Sequence, residues 1–222
     1  MCKIHYQRAY HRTLLWLAFI FISIQSASAK EPQPGDTNGI YTEAIVEAKR
    51  WHVEASMSVS MTAQQFVNVL NRSPHDCTWL QNCKSVHLLA TPSENSQIIA
   101  TRFDSPWPLN DRIMITRVVV TFSNDGRSVI VSIDSKGLSN SSLLNESGAI
   151  GPESAPYVLV NKPSGVWKLS STVNGHNILS YKGSAEKDRG FPLFLLLRHL
   201  RHSTLSTFQN LRKLDEYYAQ TQ

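Results

Sequence analysis

The sequence has no Gly-x-Ser-x-Gly, no His-Glu-x-x-His, no phosphate-binding glycine loop and no pair of carboxylates at useful spacing. The usual signatures of serine hydrolases, zinc peptidases and nucleotide-binding enzymes are therefore missing. Glycine and proline are scarce, ten each in 222 residues, which excludes collagen-like or low-complexity chains. Charged residues make up only 18% and apolar residues 41%, too little charge for a disordered chain and enough grease for a packed core. No segment repeats, so a solenoid is excluded. No apolar run approaches the roughly 20 residues of a spanning helix. At this length one domain, or at most two small ones, is expected.

The longest apolar run, Leu14–Ile24, follows Lys3, Arg8 and Arg12 with no acid between, and precedes Ala27-Ser28-Ala29. That order of basic, apolar and small-x-small segments predicts a secretory signal peptide over 1–29, cut before Lys30. An uncleaved membrane anchor is the competing reading. No Leu-x-x-Cys sits at the cut, so no lipid anchor is indicated. Taking 29 residues from 222 leaves 193, and losing three cations leaves 19 Lys and Arg against 17 Asp and Glu, a net +2. So small an excess argues against a nucleic-acid partner. The expected location is outside the cytoplasm, in the periplasm.

Three cysteines are too few for a disulfide scaffold. Cys2 leaves with the signal segment. Cys77 and Cys83 close a short loop, CTWLQNC, that could hold a disulfide in an oxidising compartment. Six residues of straight helix rise about 9 Å, beyond a disulfide's reach, so a bond requires a turn or a helix end. Two buried thiols are the alternative. Metal binding by the pair is disfavoured because no third and fourth ligand lies near.

The rest reads as strands, a short helix, more strands and one long helix. Lys30–Gly39 is expected to be a flexible leader, and 40–218 the folded domain. Strands are expected at Ile40–Val46, Trp51–Val59, Ser85–Ala90, Gln97–Phe103 and Tyr157–Asn161. Thr62-x-x-Gln65 forms a capping box for a short helix that ends at Ser73-Pro74. Ile113–Phe122 and Arg127–Asp134 read as a hairpin with Asp125-Gly126 as a two-residue turn. Phe122 then faces Val129, Val120 faces Val131, Val118 faces Ile133, and Arg117 lies opposite Asp134. Ser135–Pro156 reads as a loop. A second hairpin, turning at Asn174-Gly175, places Trp167, Leu169, Leu179 and Tyr181 on one face. Phe191–Tyr218 then continues without glycine or a second proline as an amphipathic helix about 40 Å long. Leu193, Leu197, Leu200, Thr204, Phe208, Leu211 and Asp215 track one side. Such a helix needs a wide apolar surface, and an antiparallel sheet wrapped around it supplies one.

Ser105-Pro106-Trp107-Pro108-Leu109-Asn110-Asp111-Arg112 immediately precedes a strand. This Pro-Trp-Pro-x-x-Asp-Arg pattern resembles the START family of lipid-binding domains, particularly its secreted bacterial members. Thr78-Trp79-Leu80, Gly165-Val166-Trp167-Lys168-Leu169 and Phe208-Gln209-Asn210-Leu211-Arg212-Lys213-Leu214 fall in the family's order, so the resemblance spans Ile40–Leu214. One departure is Ile113, where the family usually has an acid. The resemblance implies an α+β helix-grip fold: a curved antiparallel β-sheet around the C-terminal helix, enclosing an apolar tunnel. It also implies binding or transfer of a lipid or hydrophobic small molecule, without a cofactor.

Trp107 and Arg112 would then shape a tunnel mouth. Met114, Val118, Val120, Val131, Ile133, Trp167, Leu169, Leu197, Leu200, Phe208 and Leu211 would line it, with Tyr181 and Thr204 as polar groups near a head group. Each has a plainer reading as turn or ordinary core. Phe191–His202 joins an apolar patch to Arg198, His199, Arg201 and His202, and either buries one side in the ordinary way or touches anionic lipid. His199-x-x-His202 lacks a third metal ligand nearby. Two other functions compete. One is a polyketide cyclase or aromatase of the same superfamily, with His75-Asp76 or His87 as acid–base groups. The other is an envelope interaction module with a filled core.

Overall fold

The computed structural model describes residues 35–37, 39–105, 110–138, 156–172, 177–187 and 192–220. The expected signal segment, Trp107 with its two prolines, most of the Ser135–Pro156 loop, the Asn174-Gly175 turn and Phe191 lie outside these. The strands are β1 (Gly35–Thr37), β2 (Ile40–Glu47), β3 (Arg50–Val59), β4 (Cys83–Ser93), β5 (Ser96–Phe103), β6 (Asp111–Phe122), β7 (Val129–Asp134), β8 (Tyr157–Leu159), β9 (Ser164–Ser171) and β10 (Asn177–Glu186). The helices are α1 (Ala63–Arg72) and α2 (Leu193–Gln220).

The strands form one curved, open sheet in the order β1-β2-β3-β10-β9-β7-β6-β5-β4. All neighbours in that path are antiparallel. β8 is added off the path, parallel to Asp111–Ile113 of β6. α2 packs on β2 and β3, with Phe208 and Leu211 of its C-terminal half in one core cluster with Ile40, Ala55 and Met57. The fold is therefore the expected helix-grip, with two local differences. Gly35–Thr37, assigned to a flexible leader, pairs instead with Ile40–Thr42. The Asn38-Gly39 dipeptide is a hairpin signal, and Gly39 has φ +72°.

The second difference is the β6–β7 turn. The register is the expected one, with Phe122 opposite Val129 and Arg117 opposite Asp134. The loop is longer, however. Ser123 and Ser128 close it, Gly126 N–H donates to the Ser123 carbonyl, and Gly126 takes φ +68°. Asp125 Oδ1 accepts from Ser123 Oγ and the Arg127 amide. Lengthening the loop symmetrically by two residues leaves the register unchanged.

α1 begins at the expected capping box: Gln65 N–H donates to Thr62 Oγ1 and Thr62 N–H to Gln65 Oε1. After α1, Cys77 and Cys83 are disulfide-bonded across two successive turns, with Cα atoms 5.9 Å apart. This loop holds α2: Gln81 N–H donates to Thr207 Oγ1, and Asn210 Nδ2 to the Thr78 carbonyl. The buried Asp215 carboxylate, near the end of α2, accepts from the Ser60 and Met61 amides at 2.6–2.9 Å. It thereby ties the helix to the β3–α1 junction.

Candidate functional site

Trp167 on β9 is the hub of an aromatic cluster. It stacks on Tyr181 at 4.3 Å and Phe208 at 5.6 Å, and meets Phe66 and Trp79 at about 6 Å. Trp79 N–H is satisfied by Ser73 Oγ at 3.1 Å. Beyond this cluster the interior is filled: Val129, Leu169, Leu179 and Leu211 are 0–1% exposed. On its other side the sheet and α2 diverge around a cavity of about 1500 Å³ that is partly open to solvent.

Strand alternation explains the walls. On β6 the even residues Arg112, Met114, Thr116, Val118, Val120 and Phe122 face the cavity. The odd residues Ile113 and Ile115 face outward, into a second apolar cluster with Ile98, Ala100 and Tyr157. β5 contributes Gln97, Ile99, Thr101 and Phe103, β7 Val131 and Ile133, β9 Trp167, and β10 Tyr181. α2 contributes Leu196, His199, Leu200, Ser203, Thr204, Thr207 and Phe208, spaced three and four apart.

Eleven of the residues expected to line a tunnel thus meet in this cavity wall: Arg112, Met114, Val118, Val120, Val131, Ile133, Trp167, Tyr181, Leu200, Thr204 and Phe208. Leu169, Leu197 and Leu211 do not. Leu169 and Leu211 lie one step past the aromatic cluster, in the filled core, and Leu197 is buried outside the wall. β4, β5 and α1 were expected as elements but not as walls, and their Val86, Leu88, Ile99, Val67 and Leu70 also face the space.

The two motif residues split across the sheet. Asp111 points outward and takes Arg102 Nη2 at 2.7 Å, Arg102 Nε at 2.8 Å and Lys84 Nζ at 3.1 Å. Burial raises its carboxyl, but these cations together hold it below the usual carboxylate range. Arg112 points into the cavity and donates to Ser105 Oγ at 3.2 Å. His199 reaches toward it from α2. Burial, then the charges of Arg112 and His202, hold the imidazole below its ordinary pKa.

The opposite pole of the cavity is neutral. Tyr181 has part of its surface open, but onto the cavity rather than bulk solvent, and loss of hydration pushes its hydroxyl up to about 12. Thr116 Oγ1, sealed in the β6 wall, has no hydrogen-bond partner among the described residues. His75 borders the cavity as an exposed rim residue, while Asp76 accepts from Thr78 N–H and Oγ1. His87 contacts Ser85 away from the wall. Among the described residues no cluster of His, Cys, Asp and Glu could hold a metal ion, and no helix is long and apolar enough to cross a membrane.

No family model and no curated protein matches the chain. Solved structures do. A STAR-related lipid transfer protein from Xanthomonas axonopodis superposes with a TM-score of 0.63 at 16% identity, over 82% of this chain and 96% of that one. Human STARD10 gives 0.63 at 15% identity, over 84% and 73%. Human StAR-related lipid transfer protein 5 gives 0.62 at 12% identity, over 87% and 90%. The fold is START-like. Within this START-like frame the cavity lies between the sheet and the N-terminal half of α2, bounded at its closed end by the Trp167 cluster.

Proposed function

We propose that this protein binds a lipid or similarly hydrophobic small molecule in the cavity and passes it on. The observation that carries the reading is the unfilled, largely apolar space of about 1500 Å³ under the N-terminal half of α2. A ligand there gains about 2.5 kcal/mol for every 100 Å² of apolar surface removed from water, before the costs of association. A few polar groups suffice to orient it. The residues of the wall bind and shape; no step of covalent chemistry is assigned to them, and no cofactor is invoked.

The N-terminal half of α2 serves as the lid. Leu193, Phe194 and Leu195 are 46%, 64% and 42% exposed, and Arg198, Arg201 and His202 follow them. An apolar patch beside cations fits contact with an anionic membrane surface during loading or unloading. Export by the signal segment, with cleavage after Ala29 and work in the periplasm, agrees with the Cys77–Cys83 bond, which suits an oxidising compartment.

Val120→Trp and Leu200→Trp test the chamber. Each adds bulk to the void rather than to filled core, so the domain should fold and a fluorescent fatty acid should no longer bind. Unchanged uptake by both folded variants would contradict the reading.

A further inference from the structure

Tyr181 is held in a way that fixes its hydroxyl. Its ring stacks on Trp167 at 4.3 Å. Beneath it, Gly183 of β10 pairs directly with Gly165 of β9. A Cβ on Gly183 would collide with the phenol ring and its hydroxyl, and one on Gly165 would stand 3.2 Å from that hydroxyl. Two paired glycines inside a sheet weaken strands, so their presence marks a place where something must lie close to the backbone. Here it is the phenol. A phenylalanine would fill the same floor without bringing a polar atom inside.

The hydroxyl itself has no hydrogen-bond partner among the described residues, although tyrosines so enclosed normally find one. It faces the cavity, where Val118, Val131 and Ile133 supply only hydrocarbon. It remains protonated across the physiological range, so it is a neutral, preorganised donor at the closed end of the chamber.

We propose that Tyr181 is a specificity residue that donates a hydrogen bond to an oxygen on the buried part of the ligand, so that the cargo is an oxygenated hydrophobe (keto, hydroxyl or ester) rather than a plain hydrocarbon chain. This rests on the reading of the cavity as a ligand chamber.

The test is displacement of a fluorescent fatty acid by stearic acid and by a positional series of ketostearic acids, with wild type and Tyr181→Phe. Wild type should prefer one ketone position over stearic acid by at least tenfold. Tyr181→Phe should lose that preference, its affinity for the favoured ketone falling to its own affinity for stearic acid. Stearic acid binding with no preferred ketone position, or a preference that survives in Tyr181→Phe, overturns the role of Tyr181 and leaves the chamber standing. Failure of every acid, and of the fluorescent probe, to bind wild type overturns the chamber and this inference with it.

Discussion

The two halves of α2 share one backbone and opposite surroundings. From Thr207 onward the helix is fastened: Phe208 and Leu211 are fully buried, Thr207 accepts from Gln81, and Asp215 accepts from Ser60 and Met61. Before Ser203 it spans the cavity, with Leu193, Phe194 and Leu195 largely exposed and His199 facing Arg112 across empty space. A helix anchored at one end and poorly packed at the other can open locally without global unfolding. That asymmetry is what the proposed lid requires, to move while the fold persists.

The sharpest way to break the contrast is truncation on each side of it. Phe208→Ala should cost about 3–5 kcal/mol, the usual loss for a buried aromatic. Leu195→Ala should cost less than about 0.5 kcal/mol, as surface changes do. Urea unfolding reads both, and equal losses would erase the distinction.

The fastening points come next. Replacing Cys77 and Cys83 by serine should remove about 2 kcal/mol, from the loop-closure entropy of so short a ring. It also loosens the loop that holds Thr207 and Asn210. Asp215→Ala should cost about 1–3 kcal/mol, because the Ser60 amide and the buried Met61 amide lose their acceptor. Hydrogen exchange should then rise in the C-terminal half of α2; if only the N-terminal half responds, the assignment of the anchor is wrong.

The smallest effect concerns pH. The folded protein holds His199 below its ordinary value, so the unfolded chain binds the proton first as pH falls through about 6.5. Stability conferred by the neutral ring is therefore full above that value and declines on acidification, until His199 itself is protonated beside Arg112. Wild type should lose stability between pH 7 and 5 more steeply than His199→Gln. Parallel pH profiles would remove His199 from the lid.

Much of this was legible in the sequence because alternation is a strong signal where one face is polar. Phe122, Val120 and Val118 against Val129, Val131 and Ile133 gave register and wall together. Ile113–Thr116 gave only Met114 and Ile98–Thr101 no wall residue, because both faces of these two segments are largely buried. Ile113 and Ile115 fill the outer cluster while Met114 and Thr116 meet the cavity. The boundary between filled core and void was equally hidden. Leu169 and Trp167 share a face, and only the Phe66–Trp79–Phe208 cluster around Trp167 decides which of them meets open space. The Tyr181 floor needed cross-strand pairing, since Gly165 and Gly183 are eighteen positions apart in the chain.

The central claim is that the space under the lid is a ligand chamber. Native mass spectrometry of residues 30–222, after incubation with vesicles of total bacterial lipid, measures it directly. A bound species of lipid mass on wild type, absent from Val120→Trp, is the result expected. Bare protein in both, or the same adduct on both, would contradict it.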